Sequence, residues 1–247
     1  MTPEPTADNA APPLGEVGRI TGVFFDPKKA FADIAARPTW IVPVVLVIIF
    51  YLAFMYCFTT HVGWERSMRQ AMETNTRMQQ MDAQQRETII QSQIKYAPIG
   101  AYVVGSIAIP VVALIVAGVL LLMCKMMGAS LTYRQMFGIT AYSMLPGLIS
   151  SILAIIVVFT KNPEDFNLRN PLAFNLGAFL EPPPGSGKAL YALATSIDLF
   201  SFWQIALLAV GISVAARKFP FSKALTAVLI PWVVLVIGKA GWAALFG

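Results

Sequence analysis

The chain has 247 residues, of which 57% are hydrophobic and only 13% are charged. Soluble domains carry about 25% charged residues, so this composition excludes a soluble enzyme, a secreted disulfide scaffold and a disordered chain. The net charge of +5 comes without a run of Lys and Arg interleaved with aromatic residues, so nucleic acid is not an expected partner. Basic residues that flank membrane-spanning helices explain the positive charge instead.

The amino-terminal residues 1–18 are rich in Pro and Ala and predict a disordered cytoplasmic tail. They lack the basic start and the apolar core of a cleavable signal peptide. The following residues, 19–39, predict one short amphipathic helix. Asp26 is a good N-cap and Pro27 suits the first helical position, while Phe31 and Ile34 recur at helical spacing.

This helix is too short to span a bilayer, and its pair of lysines, Lys28 and Lys29, suits a surface of anionic lipid headgroups. An amphipathic helix in the membrane interface is therefore one interpretation. A helix that packs its apolar face beneath the spanning segments is the other.

Five apolar segments follow, and each is long enough to cross a hydrocarbon core of about 30 Å at a rise of 1.5 Å per residue. They lie at residues 40–60, 97–124, 136–159, 190–216 and 221–247. The loop after the first segment is full of helix formers and predicts a helical excursion. The predicted fold is an all-α membrane protein in which 40–247 form a five-span transmembrane helix bundle, with the amphipathic interfacial helix before it and a helical outer loop.

Two short connections between these segments carry bases and no acid. Short basic loops are retained in the cytoplasm, so we predict a multi-pass protein of the cell membrane with its amino terminus in the cytoplasm and its carboxyl terminus outside. Together with Lys28 and Lys29, the bases of these connections are the residues expected to contact lipid or a partner: Lys125, Arg134, Arg217, Lys218 and Lys223.

Two charges lie within predicted spans. Asp198 and Lys239 each lie about 12 Å below the outer end of their segment, on neighbouring spans joined by a short turn. Because unpaired charges at depth are costly, we predict an ion pair between them. A site for a coupling ion or a proton is the functional alternative for the same two residues.

No catalytic constellation is evident in the sequence. The chain has a single histidine, His61, without neighbouring cysteines or carboxylates, so neither a metal site nor a Ser-His-Asp or Cys-His arrangement is predicted around it. We expect a protein without enzymatic activity, without a metal and without a cofactor.

Three stretches carry a resemblance to a known family. They are FFDPKKAFADIAARPTWIVP, GASLTYRQMFGITAYSMLPGLI and IDLFSFWQIALLAVGISVAARKFPFSKALTAVLIPW. Together they resemble bacterial members of the Yip (Ypt-interacting protein) membrane family, over most of residues 19–240. The resemblance implies five spans with a cytoplasmic amino terminus. Eukaryotic relatives resemble adaptors of vesicle traffic that contact prenylated small GTPases, but the short tail of this chain lacks the longer interaction segments expected for such a partner.

Two functions are compatible with the sequence. The first is a non-enzymatic scaffold or trafficking-type adaptor that organises the membrane through anionic lipid, through other membrane proteins or through a second copy of itself. The second is a small transporter or permease component that uses Asp198 and Lys239.

Overall fold

The computed structural model describes residues 13–73, 80–168, 170–181, 183 and 187–246. Within these residues the fold is helical, and extended backbone pairs only at an isolated bridge between Asn175 and Asp198. We number the helices in chain order as α1 Glu16–Phe25, α2 Pro27–Ala36, α3 Ile41–His61, α4 Trp64–Glu73, α5 Ala83–Ile99, α6 Ser106–Met126, α7 Tyr133–Ser143, α8 Pro146–Thr160, α9 Lys188–Ser196, α10 Leu199–Ala215 and α11 Phe221–Phe246.

Short irregular helices connect several of these elements. A π-helical turn, Gly100–Gly105, joins α5 to α6, so that the two form one continuous helical rod. Single 3₁₀ turns, Pro163–Asp165 and Leu176–Phe179, lie in the loop between α8 and α9. The helical excursion predicted after the first span is seen in α4 and in the start of α5.

Four helical stretches are long and apolar enough to cross a membrane: Ile41–His61, Ala83–Met126, Tyr133–Thr160 and Phe221–Leu245. Each exposes large apolar side chains that a soluble protein would bury, among them Ile49, Ile115, Ile156 and Leu235. The all-helical membrane fold predicted from composition is therefore confirmed. These four stretches correspond to the first, second, third and fifth predicted segments.

The fourth predicted segment, 190–216, is not one helix. It is divided at Ile197 and Asp198 into α9 and the shorter α10, because the backbone there pairs with the preceding loop instead of continuing the helix. The Leu176 amide donates to the Ile197 carbonyl at 3.2 Å, and the Leu199 amide donates to the Phe174 carbonyl at 3.0 Å. With 17 residues, α10 falls short of the ~20 needed to span.

The amino-terminal region also differs from its prediction. The single helix expected over 19–39 is a helical hairpin, α1 and α2, that turns at Asp26. The predicted N-cap at Asp26 is present, since its carboxylate accepts the Lys29 amide, and Pro27 is the first helical residue. The helix α1 begins at Glu16, inside the stretch expected to be a tail, whereas residues 1–12 lie outside the described part of the chain.

The helix α10 lies in the interior of the bundle. It packs against α11, α2 and α7, and much of its surface is buried, including Leu207, Ala209 and Ile212. A second cluster, which contains Phe58 and Phe166, forms where α3 packs on α8 and on the loop between α8 and α9. The hairpin therefore covers α10 directly, and this contact positions the site described next.

Candidate functional site

A cluster of polar side chains fastens the hairpin to the bundle; we call it the anchor cluster. It consists of Glu16 and Arg19 of α1, Asp33 of α2, Thr39 before α3, and Tyr142 of α7. Arg19 is 4% exposed. Its Nε donates to Asp33 Oδ2 at 2.7 Å, and its Nη1 donates to Thr39 Oγ1 at 2.7 Å. One buried guanidinium thus joins α1, α2 and the segment that leads into the first span.

The other half of the anchor cluster is built on Glu16. Its carboxylate accepts the Tyr142 hydroxyl, accepts the Thr39 hydroxyl at 3.2 Å, and lies 3.4 Å from Arg19 Nη1. The Thr39 and Tyr142 hydroxyls are themselves 3.1 Å apart. Because Tyr142 comes from α7, these bonds couple the first helix of the chain to the middle of the bundle.

Charge balance within the anchor cluster shifts the pKa of two of its members. Burial by itself raises the pKa of Asp33, but hydrogen bonds from Arg19, the Leu14 amide and Arg37 outweigh it and lower the pKa below its usual value of 3.8. For Arg19 the two effects are reversed. Burial by itself lowers the pKa of Arg19, but the hydrogen bond to Asp33 outweighs burial and raises that pKa. Both groups are therefore held in their charged forms.

The lowered pKa makes stability depend on pH. Above about pH 5 the Asp33 carboxylate is ionised in both the folded and the unfolded chain, and its contribution to stability is complete. As the pH falls through the usual value and then the lowered value, the unfolded chain takes up the proton first and that contribution is lost. We expect the unfolding temperature in detergent to fall on acidification, and to fall less in Asp33→Asn. An equal acid response in both proteins would contradict this assignment.

Apolar contacts complete the docking of the hairpin. Phe31 and Ile34 of α2 are fully buried in the main core. Two glycines allow the close approach: a Cβ on Gly211 of α10 would lie 2.5 Å from Ile139 Cγ2 and 3.0 Å from Phe31 Cδ1, and a Cβ on Gly138 of α7 would lie 3.1 Å from the Thr39 carbonyl. The apolar face of α2 is therefore packed beneath the spans, as the second interpretation of the sequence held.

The exposed bases of the chain lie outside the anchor cluster. Lys28 and Lys29 are exposed, as are Lys125, Arg134, Arg217, Lys218 and Lys223 of the two basic turns. Among the residues that the structure describes, none of these seven has a carboxylate within 4.0 Å. Lys218 adopts a positive φ of 62° at the turn between α10 and α11. All seven side chains are thus available to an external anion.

The predicted ion pair between Asp198 and Lys239 is not formed. The Asp198 carboxylate instead caps α10, where it accepts the amides of Phe200 and Ser201 at 2.9 and 3.1 Å and the Ser201 hydroxyl. Lys239 Nζ donates to Ser196 Oγ at 3.0 Å and lies 3.4 Å from Thr195 Oγ1 at the end of α9. The two charges lie near the same helix break but have different partners.

The cap predicts a graded response at Asp198. We expect Asp198→Ala to lower the free energy of unfolding by about 1 kcal/mol, because α10 loses its N-cap, whereas Asn caps nearly as well as Asp. Asp198→Asn is therefore expected to stay close to the parent protein in thermal unfolding. An Asn variant as unstable as the Ala variant would show that the negative charge itself is needed.

Metal ligation has no support in the described geometry. Within the described ranges, no three His, Cys, Asp or Glu side chains are grouped so that they could hold an ion. His61 packs against Phe159, with ring centroids 5.1 Å apart. The absence of a metal and of a cofactor stays a prediction.

The anchor cluster was not predicted from the sequence. In the sequence, Glu16, Arg19 and Asp33 are recognisable only as charged residues near the amino terminus. Tyr142 lies in an apolar segment, 126 residues from Glu16. The available signal is the presence of Arg19 and Asp33 on a short stretch that turns at Asp26 and Pro27. That turn allows the two side chains to face each other.

Comparison with known families decides the identity of this fold. A family model described as the Yip1 domain matches residues 21–242. The chain belongs to the Yip1 domain family. The match begins within α1 and ends within α11, so the Yip1 domain here comprises the end of α1, all of α2, the helices long enough to span and the buried α10. No curated protein and no solved structure matches the chain.

Membership agrees with the resemblance seen in the sequence and with a multi-pass membrane protein. Within this Yip1 domain, Asp33, Thr39 and Tyr142 of the anchor cluster fall inside the matched residues, whereas Glu16 and Arg19 precede them.

Proposed function

We propose that this Yip1 domain protein is a non-enzymatic scaffold that organises the membrane in a trafficking-type role. Its partners are anionic lipid headgroups and the spanning helices of other membrane proteins or of a second copy. The observation that carries the proposal is that the charged residues fall into two groups, those engaged inside the protein and those left exposed. Arg19 and Asp33 form contacts that hold helices together and Asp198 caps α10, whereas the seven exposed bases have no described carboxylate partner.

The topology belongs to the same proposal. We infer that α9 and α10 together make one broken crossing, which gives five crossings with the amino terminus in the cytoplasm and the carboxyl terminus outside. Broken helices are tolerated at membrane depth where protein buries them, and α10 is buried by α2, α7 and α11. The basic turns after α6 and α10 then lie on the cytoplasmic side.

Thiol labelling tests this topology. In a chain whose Cys57 and Cys124 are replaced by Ser, Ser130→Cys lies in the exposed turn after α6 and Ser92→Cys lies on the exposed side of α5. A membrane-impermeant reagent applied to intact cells is expected to label position 92 and to spare position 130. The reverse pattern would invert the topology and place the basic turns outside.

Association tests the scaffold itself. We expect the protein, extracted with its native lipid in polymer-bounded discs, to retain anionic lipid and other membrane proteins. Replacing Lys125, Arg134 and Lys223 by Gln is expected to reduce the retained lipid. The control is Arg69→Gln, since Arg69 already pairs with Glu65 and Glu87. A monomer that retains neither lipid nor protein would contradict the proposal.

Flux measurements test the competing function. A transporter that uses Asp198 should move an ion or solute across liposomes and lose that flux in Asp198→Asn, although the cap of α10 survives. Under the scaffold proposal no such flux is expected. Flux that depends on the Asp198 charge would contradict the scaffold proposal and support a transporter.

A further inference from the structure

From its anchor cluster the hairpin rises along α10, well beyond the level of the basic turns. Its helix α2 packs along α10, with Phe31 against Gly211. Its tip reaches further, because the Phe24 ring near the end of α1 contacts the Trp203 ring, with ring centroids 5.7 Å apart. Trp203 lies 12 residues before Ala215, the end of α10, which is about 18 Å along the helix at 1.5 Å per residue.

The neighbouring helix α11 gives nearly the same level for the tip. It packs beside α10, and the Phe202 and Trp232 rings of the two helices have centroids 5.7 Å apart. Trp232 lies 11 residues after Phe221, the start of α11, which is about 16 Å along the helix. Since α11 is long enough to span, the tip of the hairpin lies level with the middle of a spanning helix.

The hairpin is charged and exposed at this level. Asp26, Lys28 and Lys29 are all exposed within one turn of the tip. Charged side chains that face hydrocarbon are unfavourable whatever their sign, and headgroups and water drawn toward them relieve that cost. Phe25 is exposed beside them, and an apolar ring next to charges is typical of the boundary between headgroups and acyl chains.

The exposed side of α11 changes character near the same level. Next to the basic turn it exposes Phe221, Lys223 and Thr226. The next large apolar side chain exposed on α11 is Ile230, about 14 Å along the helix from Phe221. From Ile230 to Leu245 the exposed apolar side chains cover about 22 Å, less than the hydrocarbon core of about 30 Å.

The helix α6 shows no such shortening. Its exposed large apolar side chains run from Ile107 to Met126, about 28 Å along the helix, and end at the basic turn itself. The apolar belt around the bundle is therefore full height at α6 and lower at α11 and the hairpin. The missing part is on the side of the basic turns.

We propose that the bilayer is thinned beside the hairpin and the first half of α11, where headgroups and water of the leaflet next to the basic turns reach the level of the hairpin tip. Hydrophobic mismatch is the physical reason, because a bilayer thins to match a short apolar surface. The inference rests on the membrane-organising part of the proposed function and supplies a means for it. The level is measured from the basic turns, so it holds for either orientation of the chain.

Thiol labelling of the purified full chain in phosphatidylcholine discs, which leave both faces open, tests the level. The chain carries Ser in place of Cys57 and Cys124. Single cysteines are placed at three exposed positions: Lys28→Cys at the tip, Thr226→Cys on α11 and, as the control, Leu122→Cys on α6. Positions 226 and 122 are matched, since each lies about 6–8 Å along its helix from the basic turn.

We expect a charged maleimide to label positions 28 and 226, and to label position 122 at least about tenfold more slowly, because hydrocarbon excludes water and the reagent. After unfolding in sodium dodecyl sulfate all three are expected to label equally. Lys29→Cys replaces Lys28→Cys if the latter is unstable.

Only protection at position 122 with labelling at both other positions agrees with a thinned flank. Equal protection of all three would overturn the inference, because the apolar belt would then have one height around the bundle. Equal labelling would overturn it too, since position 122 would also be wet. Protection confined to position 28 or to position 226 would mean that a second copy covers that surface in place of headgroups. Retention of anionic lipid and partner proteins reports the scaffold role separately, and can persist when the thinned flank is disproved.

Discussion

Replacing Arg19 by Met is expected to lower the free energy of unfolding by about 3 kcal/mol, because it removes the buried guanidinium and leaves the part-buried Asp33 carboxylate with only the exposed Arg37 as a cation. Arg19 is 4% exposed and bonds to Asp33, Thr39 and Glu16 at once. Met keeps most of the side-chain volume, so the loss reports the charge and its hydrogen bonds. The measurement is the unfolding temperature of the detergent-solubilised protein, followed by its far-ultraviolet circular dichroism.

Arg37 supplies a matched control for Arg19. It bonds to the same Asp33 carboxylate, but its side chain is 46% exposed, so water replaces it when it is removed. We expect Arg37→Met to cost less than about 1 kcal/mol. Equal losses in the two variants would contradict the claim that burial, and not the ion pair alone, gives Arg19 its effect.

A second measurement shows where the Arg19 variant opens. Ala30 is fully buried on α2, and Ala30→Cys in a chain without Cys57 and Cys124 is a reporter for release of the hairpin. We expect the thiol to be protected in the parent chain and to become reactive when Arg19 is replaced. Protection in both chains would mean that the apolar contacts of Phe31 and Ile34 suffice to hold the hairpin.

Gly211→Ala is expected to destabilise the contact between the hairpin and the bundle. The new Cβ would lie 2.5 Å from Ile139 Cγ2 and 3.0 Å from Phe31 Cδ1, so α2 and α7 must both shift. Overpacking of this kind costs about 1–3 kcal/mol, and it outweighs the gain of about 1 kcal/mol that Ala brings to a helix over Gly. The hairpin is expected to loosen, with a lower unfolding temperature and faster labelling of Ala30→Cys.

Gly238→Ala in α11 is the control for that substitution. A Cβ at Gly238 would have no neighbouring atom within 4 Å, so only the helix propensity changes and the variant is expected to be as stable as the parent or slightly more so. If Gly211→Ala matched Gly238→Ala, the close approach of α2 to α10 would be disproved.

Hydropathy predicted most of the fold, because a run of apolar residues long enough to cross a bilayer is a local property of the sequence. The segments at 40–60, 97–124, 136–159 and 221–247 all fall on helices that could span. Asp26 was recognisable as a cap for the same reason, since Asp followed by Pro is a local signal for the start of a helix.

The errors arise where distant parts of the chain meet. Asp198 in an apolar run is equally compatible with a buried charge and with a cap, and the pairing of Phe174 and Leu176 with its neighbours decides between them. Tyr142 gives no polar signal among apolar residues until Glu16 lies beside it. The anchor cluster therefore depends on contacts that no window of the sequence contains.

The docking of the hairpin also constrains the order in which the protein can be made. The apolar face of α2, with Phe31 and Ile34, leaves the ribosome first, yet the helices that cover it, α7 and α10, are synthesised much later. Until residue 215 has emerged, that face needs a temporary cover, either lipid or the insertion machinery. A nascent chain that ends after α8 therefore lacks α10, one of the helices that cover this face. The hairpin completes its packing only after α10 has been synthesised.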